Sequence, residues 1–403
     1  MSVVRVSEGS RSTRNPITSP RVRPRTDQSS RRRLIVSIYS SFYGETLNRL
    51  RLPIDSILSP ARPDLPAAEN LGRSREGREI TGYRLGRGSS RVSLIGGCHA
   101  DEPVGPEMLE KLVAWLALQK PGSPPLAELT WLVVPHVNPD GRLRNAVWSE
   151  TPIPTVDHQG VSDRGYDVVS YSGTAIRELP GDDIEFGFPR SPDDLEARPE
   201  NRAVAEFLEQ AAPIHLHGSF HGMGFATGPW FLIEPSWMER TATMRDVLRD
   251  RVRAMGYRLF DVDRRGEKGF RRIDEGFSTR PDSGAMQSYF EEIGDPDTAR
   301  LFRPSSMEYA RSLGGDPFTL VSEMPLFLLP DEQDPPADAP PFGTGTEGRK
   351  ALQSWLQHLI ARHGTDEART RIERHGIRPM PLRDQMRLQL AFLDEALQVI
   401  LES

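Results

Sequence analysis

His99 and Glu102 stand three positions apart in Gly96-Gly97-Cys98-His99-Ala100-Asp101-Glu102-Pro103, between an apolar stretch and a helical one. A neutral imidazole nitrogen and a carboxylate oxygen are donors that zinc accepts at about 2.0–2.2 Å, and a turn of this length can aim both at one cation. Two adjacent glycines let the backbone reverse there without Cβ clashes. Such a pair also arises on solvated helix starts, where the helix dipole favours Glu, so its meaning depends on what else the chain carries. Further on come Asn138-Pro139-Asp140-Gly141-Arg142, the run Ile214-His215-Leu216-His217-Gly218-Ser219-Phe220-His221-Gly222, and Glu323 directly after the apolar residues 318–321 and Ser322. On an extended chain His217 and His221 share one face.

The elements that must position these groups are legible in the apolar pattern. Residues 92–95 form a strand that ends at the glycine pair, and Met108, Leu109, Leu112, Val113 and Leu116 recur at helical spacing in a helix opening near Val104. Residues 80–85 and 130–134 read as strands, the latter as a buried one. Ala203, Val204, Phe207, Leu208 and Ala211 make a second helical stripe, opened by Pro199-Glu200 and closed by Pro213. Strands over 214–220, 230–233 and 318–321 follow, then helices over 347–362 and 381–401. This alternation predicts an α/β fold: a single mixed, mostly parallel central sheet flanked by helices.

Composition narrows the function classes. The chain has 403 residues, of which 37% are hydrophobic and 27% charged, with a net charge of −6. No apolar run approaches the roughly 18 residues of a membrane helix, so no membrane span is expected. Without a global basic field, no nucleic-acid partner is expected either. Cys98 is the single cysteine, which excludes a disulfide-stapled secreted domain. With no signal-like apolar stretch near the start, the expected location is cytoplasmic. Residues 1–33 hold nine arginines, no lysine and only two acids, Glu8 and Asp27, and read as a disordered Arg/Ser-rich tail. Residues 34–69 then form a lead-in segment, 70–345 a catalytic domain, and 346–403 helices packing on it.

The order and spacing of Gly72-Arg73-Ser74-Arg75-Glu76-Gly77-Arg78, His99-x-x-Glu102 and Asn138-Pro139-Asp140-Gly141 resemble the zinc-dependent metallocarboxypeptidase family, the carboxypeptidase A/B-like peptidases, over roughly residues 70–330. The resemblance implies a bound Zn2+ held by His99, Glu102 and a third histidine at a strand end. His221, after Ser219-Phe220, matches that position, and His217 competes for it because it too follows an apolar residue and precedes glycine. It implies Glu323 as the general base beside a zinc-activated water, and an arginine shortly after the Asn-Pro-Asp-Gly turn, Arg142 or alternatively Arg144, to steady the oxyanion. The implied activity is cleavage of a peptide or small amide substrate.

One stretch departs from the family. Where the family carries Asp-Leu-Asn-Arg before an aromatic and Pro, and uses the Asn-Arg pair to grip the substrate's terminal carboxylate, this chain has Asp183-Ile184-Glu185-Phe186-Gly187-Phe188-Pro189. A free carboxylate facing Glu185 and Phe186 would meet a negative charge and an apolar ring, unless Arg144, Arg164 or Arg190 helped. The family's substrate-capping tyrosine has only Tyr289 and Tyr309 in the right region. Two other readings therefore stand beside the peptidase: an aspartoacylase-like amidohydrolase of N-acyl amino acids, and a non-catalytic binding protein on the same scaffold.

Overall fold

The computed structural model describes residues 50–59, 64–191, 193–330 and 346–402. The tail over 1–33 and most of the lead-in lie outside them, and residues 50–403 cluster as one compact unit. Its strands are β1 (Glu69–Arg73), β2 (Glu79–Gly86), β3 (Ser90–Gly96), β4 (Leu129–Val134), β5 (Ile153–Val156), β6 (Ser162–Gly165), β7 (Leu216–Ala226), β8 (Trp230–Ile233), β9 (Arg272–Asp274), β10 (Phe277–Thr279), β11 (Phe318–Leu328) and β12 (Arg378–Pro379). The principal helices are α1 (Val104–Ala117), α2 (Pro139–Ser149), α3 (Val168–Thr174), α4 (Pro199–Glu209), α5 (Ala242–Ala254), α6 (Thr346–His363), α7 (Thr365–Arg374) and α8 (Leu382–Leu401). Among the described residues, β5 and β6 form a separate hairpin, and the other ten strands make one mixed sheet. Its order is β1-β2-β4-β3-β7-β11-β8-β10-β9, with β12 beside β11. The centre, β4-β3-β7-β11, is parallel throughout.

Both faces of that centre are covered, which explains why its strands read as continuous apolar runs rather than alternating ones. Val92 and Leu94 of β3, Trp131 and Val133 of β4, and Leu216 and Phe220 of β7 pack into one core with α1, α5 and α8. Ile95, Leu132 and Val134 turn the other way, into a second core with α4 and with Ile184 and Phe188. Because side chains alternate along a strand, His217 and His221 point to the α4 side, opposite Leu216 and Phe220. Likewise Glu323 faces away from Leu320 and Met324, which belong to the first core. A third, smaller apolar group that includes Trp230, Phe260, Met307 and Val321 continues this functional side of the sheet past β11.

The central strands run further than their apolar patterns suggest. The strand expected over 214–220 starts at Leu216 and continues to Ala226, and the one expected over 318–321 continues to Leu328. Gly222 and Gly224 dilute the pattern of β7, yet it stays paired with β11 through Phe327–Phe225 and Leu328–Ala226. Backbone pairing, not side-chain pattern, carries the extension.

Two devices bring the other elements to this sheet. The first is a close approach of α1 to β7: a Cβ built on Gly105 would lie 2.2 Å from the Phe220 carbonyl oxygen. The second is α8, which covers the face opposite His221, and whose Gln389 amide donates to the His221 carbonyl at 3.2 Å and to Ser322 Oγ at 3.3 Å. Gly105→Ala should therefore overpack the α1–β7 contact and cost about 1–3 kcal/mol, read as a lowered Tm by calorimetry. Gly122→Ala, where an added Cβ meets nothing within 4 Å, should leave the Tm in place.

Candidate metal centre

β3 ends at Gly96, in register with Phe220 of β7, so the chain leaves the sheet one residue short of His221. Gly97 turns it with a φ of +71°, a conformation open to glycine at no steric cost. The Glu102 amide then donates to the His99 carbonyl at 3.3 Å, and Pro103 leads into α1. This short turn carries His99 and Glu102 back over the β7 rim. There His99 Nδ1 lies 2.9 Å from Glu102 Oε1, His221 Nδ1 lies 2.9 Å from Glu102 Oε2, and the two Nδ1 atoms are 3.1 Å apart.

Two imidazole nitrogens and a carboxylate on a common centre are the donor set of an open zinc site. A tetrahedral zinc at its usual bond lengths spaces its donors by about 3.3 Å, so the three groups fit one such ion with little movement. Each imidazole turns its far nitrogen to an acid: His99 Nε2 is 3.5 Å from Asp183 Oδ1, and His221 Nε2 is 3.0 Å from Glu185 Oε2. Burial alone would push the His99 imidazolium down, but the Glu102 and Asp183 charges outweigh it and the repulsion of Arg177, lifting His99 to about 10. Burial also works against ionising Glu102, yet His99 and Arg177 hold its carboxyl well below the usual range.

Glu323 stands beside this group on β11, directly in register with His221 on one side and Trp230 on the other. Paired residues share a face, so its carboxyl faces the centre. Burial and then the Glu102 charge push it up to about 7, against the pull of His221, His99 and Arg177. His217 belongs elsewhere: fully buried four residues earlier on the same face, its Nδ1 sits 2.6 Å from Ser93 Oγ, and burial pushes it down to about 3, with Arg280 adding to the effect. His215 sits at the strand entrance, accepting from the Arg91 amide at 3.0 Å.

The structure brings an arginine to the centre that the sequence reading did not single out. Arg177, in the loop after α3, places Nη1 2.8 Å from Glu102 Oε1 and Nη2 2.9 Å from His99 Nδ1. Asp101 flanks it at 3.4 Å and accepts from Tyr171 OH at 3.1 Å. Arg142 lies further out, 3.1 Å from His136 Nε2, on the wall of a cavity of about 420 Å3 whose lining also includes His99, Glu102, Glu110 and Arg164. Arg144 is engaged with Glu76 at 2.8 Å and Glu178 at 3.2 Å.

The remaining motif residues build the support. Asp140 accepts from Ser74 Oγ at 2.6 Å, Arg78 at 2.7 Å and the Glu76 amide at 3.0 Å, tying the Gly72–Arg78 stretch to the Asn138-Pro139-Asp140-Gly141 turn. Asn138 caps α2 by accepting from the Gly141 amide and donates to Glu178 at 2.8 Å, while Glu178 accepts from the Ala100 amide at 3.2 Å. That chain of bonds fixes the turn bearing His99. Glu185 and Phe186 do not face open solvent: Glu185 is 5% exposed against His221, and Phe186 packs edge-on against Phe302 at 5.4 Å. The expectation that Glu185 would meet a substrate carboxylate gives way to this inward placement. Tyr309 is spent on a hydrogen bond to Glu209, and Tyr289 lies 4.9 Å beneath the Lys268 ammonium.

The zinc carboxypeptidase family model matches residues 57–289. Among curated proteins, the inactive metallocarboxypeptidase ecm14 of Talaromyces marneffei is 33% identical over 85 residues, covering 18% of this chain and 14% of that protein's length. Among solved structures, a metallo-carboxypeptidase from Burkholderia cenocepacia is 15% identical with a TM-score of 0.38, covering 91% of this chain and 69% of that one. A Pseudomonas aeruginosa metallo-carboxypeptidase, solved with (2-guanidinoethylmercapto)succinic acid, is 18% identical with a TM-score of 0.37, covering 76% of this chain and 67% of that one.

The geometry separates the two histidines by experiment. His99→Ala and His221→Ala should each abolish stoichiometric zinc in metal analysis of the purified protein. His217→Ala should keep the metal and lose only stability, by about 1–3 kcal/mol. Retention of a full equivalent by His221→Ala would transfer the third ligand elsewhere.

Proposed function

The chain belongs to the zinc carboxypeptidase family, whose model spans more than half of it, and from that membership we propose that it is a zinc-dependent hydrolase of a peptide or amide bond. The observation that carries the reading is the placement of Glu323 beside His221, next to three donor atoms 2.9–3.1 Å apart. His99, Glu102 and His221 would hold the zinc. When bound, zinc polarises a scissile carbonyl and lowers the pKa of an attacking water from 15.7 toward about 7.

The chain's own groups do the rest. Glu323, pushed up to about 7, is poised to take a proton from water at neutral pH and pass it to the leaving nitrogen. The Arg177 guanidinium, beside Glu102 and His99, offers fixed donors to a developing oxyanion. Arg142 and His136, on the cavity wall, would orient the part of the substrate that lies there. Neither Glu185 nor Phe186 is free to grip a terminal carboxylate. The cations that bear on Glu323 are Arg177, Arg264 and Arg349, so anchoring of an anionic substrate group falls to them. One relative carries the word inactive in its name. In this chain His99, Glu102, His221 and Glu323 stand together, and their presence supports activity.

Glu323→Gln should bind zinc as the parent does while kcat/KM on peptide or N-acyl amino acid substrates falls by about 10²–10⁴. As a base, Glu323 works ionised, so kcat/KM of the parent should fall as pH drops through its pKa. A bound dication pulls that value down, which puts the acid limb at or below about pH 7. Unchanged turnover in Glu323→Gln would remove the base from this residue, and chelator-insensitive turnover would remove the metal from the reaction.

A further inference from the structure

An imidazole that offers the Nδ1 lone pair to a metal must carry its proton on Nε2, and a buried Nε2–H needs an acceptor. At His221 that acceptor is a residue which the family pattern would give to the substrate. Glu185 Oε2 lies 3.0 Å from His221 Nε2, with Ser219 Oγ 2.7 Å from the same nitrogen. Glu185 and His221 are both buried, at 5% and 3% exposure, and the second carboxylate oxygen of Glu185 finds no hydrogen-bond partner among the described residues. A buried charge with one oxygen unpaired is expensive unless the other makes a strong contact.

The backbone around Glu185 is held on several sides. Its amide donates to Asp183 Oδ1 at 2.8 Å, the Ile184 carbonyl accepts from Asn201 at 2.7 Å, and the Phe186 carbonyl accepts from the Arg303 amide at 3.0 Å. Ile184, between the two acids, is anchored in the second core. The carboxylate therefore cannot swing outward without breaking a packed segment.

Resting on the reading of His99, Glu102 and His221 as the zinc ligands, we infer that Glu185 is a positioning residue: it accepts from His221 Nε2–H, fixes the tautomer that turns Nδ1 toward Glu102 and His99, and strengthens that ligand. The same placement takes position 185 out of substrate recognition. Its carboxylate is turned to the His221 ring and is not offered to a substrate group.

The test uses the full chain as wild type, Glu185→Gln and Glu185→Leu. Gln keeps an acceptor oxygen, and Leu keeps the approximate volume with none. Zinc affinity is measured by competition with a chelator, and ligand geometry by the visible absorption of the Co2+-loaded protein. Loss of an outer hydrogen-bond partner typically weakens metal binding on the order of 10–100-fold. That loss and a changed Co2+ spectrum are expected for Glu185→Leu, with Glu185→Gln recovering most of both. In zinc-loaded wild type, histidine-resolved NMR should find the His221 ring proton on Nε2, displaced downfield, and this measurement stands if the Leu variant does not fold. Equal affinity and spectra in all three proteins, a Gln variant no better than Leu, or a ring proton on Nδ1 would each overturn the assignment. Wild type that takes up no zinc or cobalt would instead overturn the metal-centre reading, and this inference with it.

Discussion

The parallel pairing of β7 with β11 is the constraint on which the centre depends. It runs in unbroken register from Leu216–Phe318 through His221–Glu323, and it alone puts an imidazole and a carboxyl side by side on one face. A slip of one residue in either strand would send one of them into the apolar core on the other side. The register is protected from both directions. Leu216, Phe220, Leu320 and Met324 commit alternate positions to the first core, while Gln389 of α8 ties the His221 carbonyl to Ser322 across the two strands.

Charge is the second constraint. Within a few side chains of the two histidines lie Asp101, Glu102, Asp183, Glu185 and Glu323; among the described residues Arg177 is hydrogen-bonded to Glu102 and His99, and Arg264 and Arg349 bear on Glu323. Buried acids in such excess drive one another toward the neutral form unless cations compensate, and Glu323, lifted toward neutrality, registers that pressure. A dication on the three donor atoms would relieve it directly. The centre is thus built from the demands of a small buried volume as much as from its ligands.

What could be read from the chain follows from how local each feature is. His99 and Glu102 were legible because a single turn separates them and glycine marks the bend. The α/β alternation and the starts of α1 and α4 were legible from 3.6-residue periodicity and proline. Choosing between His217 and His221 required knowing where β3 stops, since both point the same way along β7, and that end is set by the pairing of Gly96 with Phe220. Arg177 left no signal: it sits in an irregular loop after a seven-residue helix, in a chain where arginine is everywhere. Glu185 could be seen to replace a family residue, but its inward direction depends on Ile184 being drawn into the second core. The full lengths of β7 and β11 escaped because glycines interrupt the apolar pattern while the backbone ladder continues.

The bracing of His221 from behind by α8 has a consequence for the order of events during synthesis. Translation delivers residues 382–401 after every other element described, and Gln389 is among them. Until that helix emerges, the strands bearing His221 and Glu323 lack their cover on one face, and the apolar side chains that α8 will bury are open to water. The strand pair bearing His221 and Glu323 therefore gains its cover on that face only once residues 382–401 have been made. A chain ending before α8 would carry His99, Glu102, His221 and Glu323 without the helix that braces their strands from behind.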